Sequence, residues 1–258
     1  MIDDDYKSSN AYVNNLYKSD EYFKKNILNE NSYYLYDEIK KNSLDDKLSV
    51  NISCTLDSCV NDFYNAIEAV YLDHPELISF SGINAYYYKD NVISYKNFEN
   101  LPKYKRNLGA MRIERKIDKI KKDTKDLSDK DKIIYVYDYV ASHNYDKMFM
   151  FDKSNQSAYS FFTKGTSVCA GFAKASQIIF QNIGIKSYLV LSSTHMWNIV
   201  EYEGKYYIFD ATMGTAFKHT STNFYDGLGK TTTGEINGLF SELYPNVEAT
   251  TLREIFNI

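Results

Sequence analysis

Apolar residues recur at two periods along this chain, and the changes of period mark its elements. Asp20 to Leu28 and Tyr33 to Lys41 carry short helical patterns, preceded by the capping-type residues Ser19 and Ser32. Lys47 to Leu56 alternates as a strand does. Val60, Phe63, Tyr64, Ile67, Val70 and Tyr71 then return at helical spacing, which predicts an amphipathic helix with those residues in the core. Ser79 to Tyr88 and Asn91 to Phe98 bracket Lys89-Asp90 and predict a β-hairpin, and Gly109 to Lys125 continues as a charged helix. Ser128-x-x-Asp131 resembles a capping box and opens a helix over Asp131 to His143, with Ile133, Tyr137 and Val140 on its buried face.

In the second half, Tyr145 to Phe162 is aromatic and irregular and reads as one wall of a cleft. Gly165 to Val168 is a loop. Phe172, Ala175, Ile179 and Ile183 then share one helical face, with Gly184 as the C-terminal stop. Ile185 to Leu191 is a buried strand and Ser192 to Thr194 a polar break. His195 to Tyr202 and Lys205 to Asp210 flank Glu203-Gly204, a two-residue turn that folds them into an antiparallel hairpin. Cys169 thus opens a helix, His195 opens a strand, and Asp210 closes the partner strand roughly opposite His195.

That placement has chemical content. A free thiol titrates near ~8.5, and a helix N-terminus with a neighbouring imidazolium lowers that value. A carboxylate accepting from one ring nitrogen leaves the other nitrogen for the thiol. Singly, a buried cysteine is a small hydrophobe, and a Trp-Asn pair after a histidine is strand packing. Together the residues read as a triad of nucleophile Cys169, acid-base His195 and orienting Asp210. Trp197 and Asn198 are assigned supporting positions. The oxyanion is expected to rest on the Cys169 N–H at the helix start and a side-chain donor, with Tyr159 and Gln156 as candidates. His74 and His143 lie at helix ends and read as structural.

The segments Val-Cys169-Ala-Gly171-Phe-Ala, Gly-Ile, His195-x-Trp-Asn and Gly-x-Tyr-Tyr-x-x-Asp210-x-Thr closely resemble the transglutaminase-like cysteine superfamily, in that family's order of Cys, His and Asp. Asp73-His74-Pro75-Glu76-Leu77, Tyr137-Asp138-Tyr139-Val140 with Asn144-Tyr145-Asp146, and Ser157-Ala158-Tyr159 look like recurring segments of its bacterial branch, so the likeness covers residues 70 to 225. The resemblance implies an α+β fold with a papain-like core, the cysteine helix packed on an antiparallel sheet, and a supporting place for Gly171. Met196 stands where the family has a small residue, and Met213 where it has an aromatic one; both bear on cleft shape.

The implied activity is cysteine-dependent acyl transfer on peptide amides. Hydrolysis is favoured, because the chain has one tryptophan and lacks the aromatic at Met213 that would help wall an amine channel. The alternatives are a cross-linking transglutaminase and a non-catalytic interaction module on the same fold. Expected substrates are peptides or proteins, with peptidoglycan stem peptides among them. Residues 1–105 are expected to form a helical and β extension, and 106–258 the catalytic core, or one continuous domain with it.

Charge narrows the partners. The net charge is −4 and the only basic run, Lys116 to Lys125, alternates as a solvated helix face does, which argues against nucleic acid. The four histidines form no paired helical motif, and no Gly-rich phosphate loop occurs, so no metal or cofactor is expected. No apolar run suits a membrane span, and the acidic Met-Ile-Asp-Asp-Asp start is not a signal peptide. The expectation is a secreted or cell-surface protein whose export signal lies outside this sequence, with a cytoplasmic protein as the alternative. Cys54 and Cys59 are close enough in sequence to pair if the protein is exported, leaving Cys169 free.

Overall fold

Helices and antiparallel strands alternate in a computed structural model that describes residues 16–44, 49–54, 58–77, 83–97, 103–149, 152–217, 219–230 and 243–258. The N-terminal elements are α1 (Tyr22–Ile27), α2 (Tyr33–Leu44), β1 (Ser49–Ser53), α3 (Cys59–Asp73), β2 (Ile83–Lys89) and β3 (Val92–Asn97), with the strands ordered β1-β3-β2. Asp90 and Asn91, both at positive φ, make the hairpin turn, one residue later than the pattern suggested. Lys47, Leu56, Ser79 and Phe98, the outer ends predicted for these strands, lie outside the described residues.

Two local expectations are corrected. Ser32 does not cap α2: its hydroxyl donates to Asp62 at 2.5 Å, and Asn29 caps the 3-10 turn before that helix. Tyr64 is 47% exposed, because the buried face of α3 runs through Cys59, Phe63, Ala66, Ala69 and Val70. Alanines let neighbouring elements approach there, and an apolar stripe read from large residues alone overlooks them. Cys54 and Cys59 form a disulfide joining the end of β1 to the start of α3, with Cα atoms 5.8 Å apart.

His74 is structural but bonds side chains rather than terminal carbonyls. Its ring lies between the Tyr36 hydroxyl and Glu76, 2.7 Å from each. The preceding Asp73 accepts the Phe23 and Lys24 N–H groups, both at 3.0 Å, and so satisfies N–H groups left unpaired at the start of α1.

The C-terminal half comprises α4 (Lys103–Thr124), α5 (Asp129–Ala141), β4 (Asn144–Tyr145), α6 (Ala158–Lys164), β5 (Thr166–Ser167), α7 (Cys169–Asn182), β6 (Ser187–Leu191), β7 (Met196–Tyr202), β8 (Lys205–Phe209) and α8 (Leu252–Phe256). Ser128 caps α5 by accepting the Asp131 N–H, as its sequence suggested. The β6-β7-β8 sheet is antiparallel, and Glu203 and Gly204, both at positive φ, turn β7 into β8 in the expected hairpin. The architecture is α+β.

Helix α7 departs from a one-faced amphipathic helix. Phe172, Ala175, Ile179 and Phe180 pack in one apolar cluster with α4, α5 and α6, while Ala170 and Ala173 pack in another with α3 and the sheet. A helix gripped from both sides is buried nearly all round. Even Lys174 is enclosed, with Nζ 3.6 Å from the Tyr71 ring centre, and burial lowers its pKa to about 7. Among the described residues no helix is long and apolar enough to cross a membrane.

Candidate active site

Cys169 starts α7 directly after Val168, whose extended backbone (φ −109°, ψ 179°) carries no side-chain cap. The loop before it is fixed from below. Ser167 bonds Ser160 at 2.8 Å and donates to the Asn155 carbonyl. Gly171 lies over Ser167 so closely that a Cβ there would sit 1.9 Å from the Ser167 hydroxyl. Gly171 is therefore required by close approach. Parallel pairing of β4 with β5 sets Tyr145 opposite Ser167, two residues from the thiol.

On the sheet side, His195 precedes β7 in a tight turn in which the Ser192 N–H donates to the His195 carbonyl at 2.9 Å and the His195 N–H to the Ser192 hydroxyl at 3.1 Å. Trp197 is buried and its ring stacks near that of His195, with centroids 5.7 Å apart and an interplanar angle of 19°. Asn198 donates to the Ala173 carbonyl at 3.1 Å, fastening β7 to α7. Trp197 thus adjoins the histidine, and Asn198 ties its strand to α7.

Asp210 follows β8. Its Oδ2 lies 2.7 Å from His195 Nε2, and its Oδ1 accepts the Thr212 N–H at 3.1 Å. The Asp210 N–H donates to the Gly227 carbonyl at 2.7 Å, and Gly227 itself sits where a Cβ would strike the Asp210 carbonyl. The carboxylate is thus held on both sides. With Nε2 engaged, Nδ1 is the ring nitrogen left for the Cys169 thiol, with which His195 also interacts.

The electrostatics are reciprocal. Burial opposes ionisation of Cys169, but the hydrogen bond and charge of His195, with the Met196 and Ala170 N–H groups, lower the thiol pKa overall. Burial likewise opposes the imidazolium, yet Asp210 and Cys169 raise the His195 pKa to about 9. Both shifts favour a thiolate-imidazolium pair at neutral pH.

The side-chain oxyanion candidates fare differently. The Tyr159 ring packs against Gly109 of α4, where a Cβ would lie 2.3 Å from it, at the edge of the helical core. The ring fits against α4 because Gly109 leaves room for it. Gln156 is half-buried beside Ser157, the N-cap of α6. Tyr145, expected only as part of the cleft wall, comes to Cys169 instead. Burial raises its pKa first, then the Cys169 charge, while the Cys169 backbone N–H works in the opposite direction on the same hydroxyl. The Met196 side chain is buried with the N-terminal elements, whereas Met213 is half-buried at the start of the 3-10 turn Met213–Ala216.

A cavity of about 450 Å³ opens beside His195 and Tyr145, walled by Asn144, Lys147, Thr194, Thr212, Thr215 and Ala216. Among the described residues no group of three or more His, Cys, Asp or Glu side chains could hold a metal ion.

Residues 115–226, which include Cys169, His195 and Asp210, match the family described as the transglutaminase-like superfamily. No curated protein matches the chain. Among solved structures, the crystal structure of a TGase is similar over 69% of this chain and 54% of its own, at 17% sequence identity and a TM-score of 0.37. The chain therefore spans about half the length of that protein.

Proposed function

The chain carries a transglutaminase-like superfamily domain over residues 115–226, and from that premise we propose that it hydrolyses peptide amides through Cys169, His195 and Asp210. The observation that carries this reading is the 2.7 Å contact of His195 Nε2 with Asp210, which leaves Nδ1 to the thiol. The Cys169 thiolate attacks the amide carbonyl carbon, and the carbonyl electron pair moves onto oxygen. The Cys169 N–H donates to that oxyanion, and the Tyr145 hydroxyl is the second donor. As the tetrahedral intermediate collapses, the C–N bond breaks and the His195 imidazolium gives its proton to the leaving amine. Neutral His195 then takes a proton from water, whose oxygen attacks the thioester. The acid is released and the ion pair returns.

Hydrolysis rather than amine transfer is favoured by the cavity beside His195. Hydroxyls, an amide and a lysine share its walls with Tyr145 and Ala216, so the lining is not the wholly apolar one that would exclude water. The Cys54–Cys59 bridge supports an oxidising compartment, so the proposal extends to secreted or cell-surface peptides, peptidoglycan stem peptides among them. The test is a glutamine-containing peptide library with excess labelled primary amine. Cleavage or deamidation should exceed label incorporation, and all three should vanish in Cys169→Ala. Incorporation that outpaces hydrolysis would make the protein a transglutaminase. No turnover together with an unreactive Cys169 would make it a binding module.

A further inference from the structure

The cavity next to His195 has an unbalanced set of polar groups. Lys147 is the cation in its wall apart from the histidine, and no carboxylate lines it among the described residues. The acid next in sequence to its lining residues Tyr145 and Lys147, and the acid bonded to His195, are already engaged. Asp146 accepts the Met148 and Phe149 N–H groups, both at 3.1 Å, and the Asn155 side chain at 2.8 Å. Those bonds fix the turn that carries Lys147. Asp210 is taken by His195 and the Thr212 N–H. Lys147 is exposed and makes no ion pair among the described residues.

The neutral groups around it are donors in waiting. The Asn144 amide and the Thr194 and Thr212 hydroxyls line the cavity without a side-chain hydrogen bond among the described residues, whereas the Thr215 hydroxyl already donates to the Thr212 carbonyl at 2.7 Å. An ammonium and several free donors around one space suit an acceptor-only group of negative charge. A substrate cation would instead meet Lys147, with no carboxylate lining the cavity among the described residues to receive it, which disfavours it by repulsion. The volume of about 450 Å³ admits one side chain with adjoining backbone.

We propose that this cavity is a carboxylate-binding subsite, selecting peptides that carry an acidic side chain or a free C-terminal carboxylate beside the reactive amide. It rests on the acyl-transfer reading for its substrate, but carboxylate binding is measurable without turnover.

Peptides on one scaffold would carry Glu, Gln or Lys next to the reactive residue, each with a C-terminal acid or amide, and kcat/KM would be measured for the wild type, Lys147→Gln and Lys147→Glu. The wild type should prefer Glu over Gln by about five-fold at low salt, the upper range for one partly exposed charge pair. The ratio should fall toward one in Lys147→Gln and turn toward the Lys peptide in Lys147→Glu. A preference that follows the terminal acid instead would identify that source of the carboxylate. In parallel, N-acetylglutamine and the α-amides of N-acetylglutamate and N-acetylglutamine would be compared as protectants of Cys169 against iodoacetamide, with selective protection by the two carboxylate-bearing compounds over the uncharged one lost in Lys147→Gln. Selective protection without turnover would sustain the subsite and sink the acyl-transfer reading. Turnover with Glu and Gln treated alike, a preference that survives Lys147→Gln, or the absence of both turnover and selective protection would overturn the subsite.

Discussion

Replacing Asp210 by asparagine tests whether the carboxylate sets the charge state of the whole site. The amide oxygen can still accept the Thr212 N–H, which turns its NH2 toward His195 Nε2, 2.7 Å away in the native side chain. Nε2 must then accept, so the ring proton moves to Nδ1 and faces the thiol. A ring in that tautomer cannot take the thiol proton. The rise of the His195 pKa from 6.5 to about 9 corresponds to about 3 kcal/mol favouring the imidazolium. If most of that is lost, the thiolate-imidazolium population falls by roughly 30- to 150-fold, and turnover by up to about 10⁴-fold because the tautomer is also wrong. The assay is the rate of Cys169 alkylation by iodoacetamide between pH 5 and 9, with circular dichroism to confirm folding. In the wild type the thiol pKa is lowered, so alkylation should persist at acidic pH and fade only below the depressed value. Turnover should fall above about pH 9, where His195 loses the proton it gives to the leaving amine. A folded Asp210→Asn protein that alkylates at the wild-type rate at pH 6 to 7 would refute the reasoning.

Tyr145→Phe removes the hydroxyl facing the Cys169 N–H and should lower kcat by about 10²-fold with alkylation little changed, as read by steady-state kinetics beside thiol labelling. Gly171→Ala puts a methyl 1.9 Å from the Ser167 hydroxyl; relieving the clash breaks the bonds to Ser160 and Asn155, so denaturant titration should show a loss of about 2 to 4 kcal/mol. Reducing the Cys54–Cys59 bridge, which closes a separation of 5 residues, should add 2 Da to the intact mass and lower stability by about 2 kcal/mol. Lys174→Met removes a buried amine with a pKa lowered from 10.5 to about 7. Because the unfolded chain binds more protons across that interval, native stability rises with pH through it. The variant should be more stable by about 2 to 4 kcal/mol near pH 7, with the gain vanishing above 10.5, as chemical denaturation at several pH values would show.

The hairpin that brings His195 to Asp210 was legible because its information is local. Glu203-Gly204 supplies two positive φ angles, the turn sets Tyr202 opposite Lys205, and alternation carries that register to the strand ends. Residues at those ends then lie within reach without any long-range contact being known. The start of α7 at Cys169 was legible for a similar reason, since its apolar spacing and Gly184 bound the helix.

Only the tertiary structure decided what surrounds that frame. Tyr145 reaches Cys169 through a two-residue parallel pairing with Thr166 and Ser167, and parallel contacts across an intervening helix leave no periodic trace. Tyr159 shares the same aromatic segment yet turns to Gly109, a choice made by space on α4 rather than by its own sequence context. The enclosure of α7 from both sides, which buries Lys174 against Tyr71, depends on residues from α3 to β8. A chain pattern shows which side chains prefer burial, and with turn chemistry it fixes local geometry. Which nonpreferred side chain is buried as well, and which hydroxyl faces the thiol, follows from how separate elements fill one space.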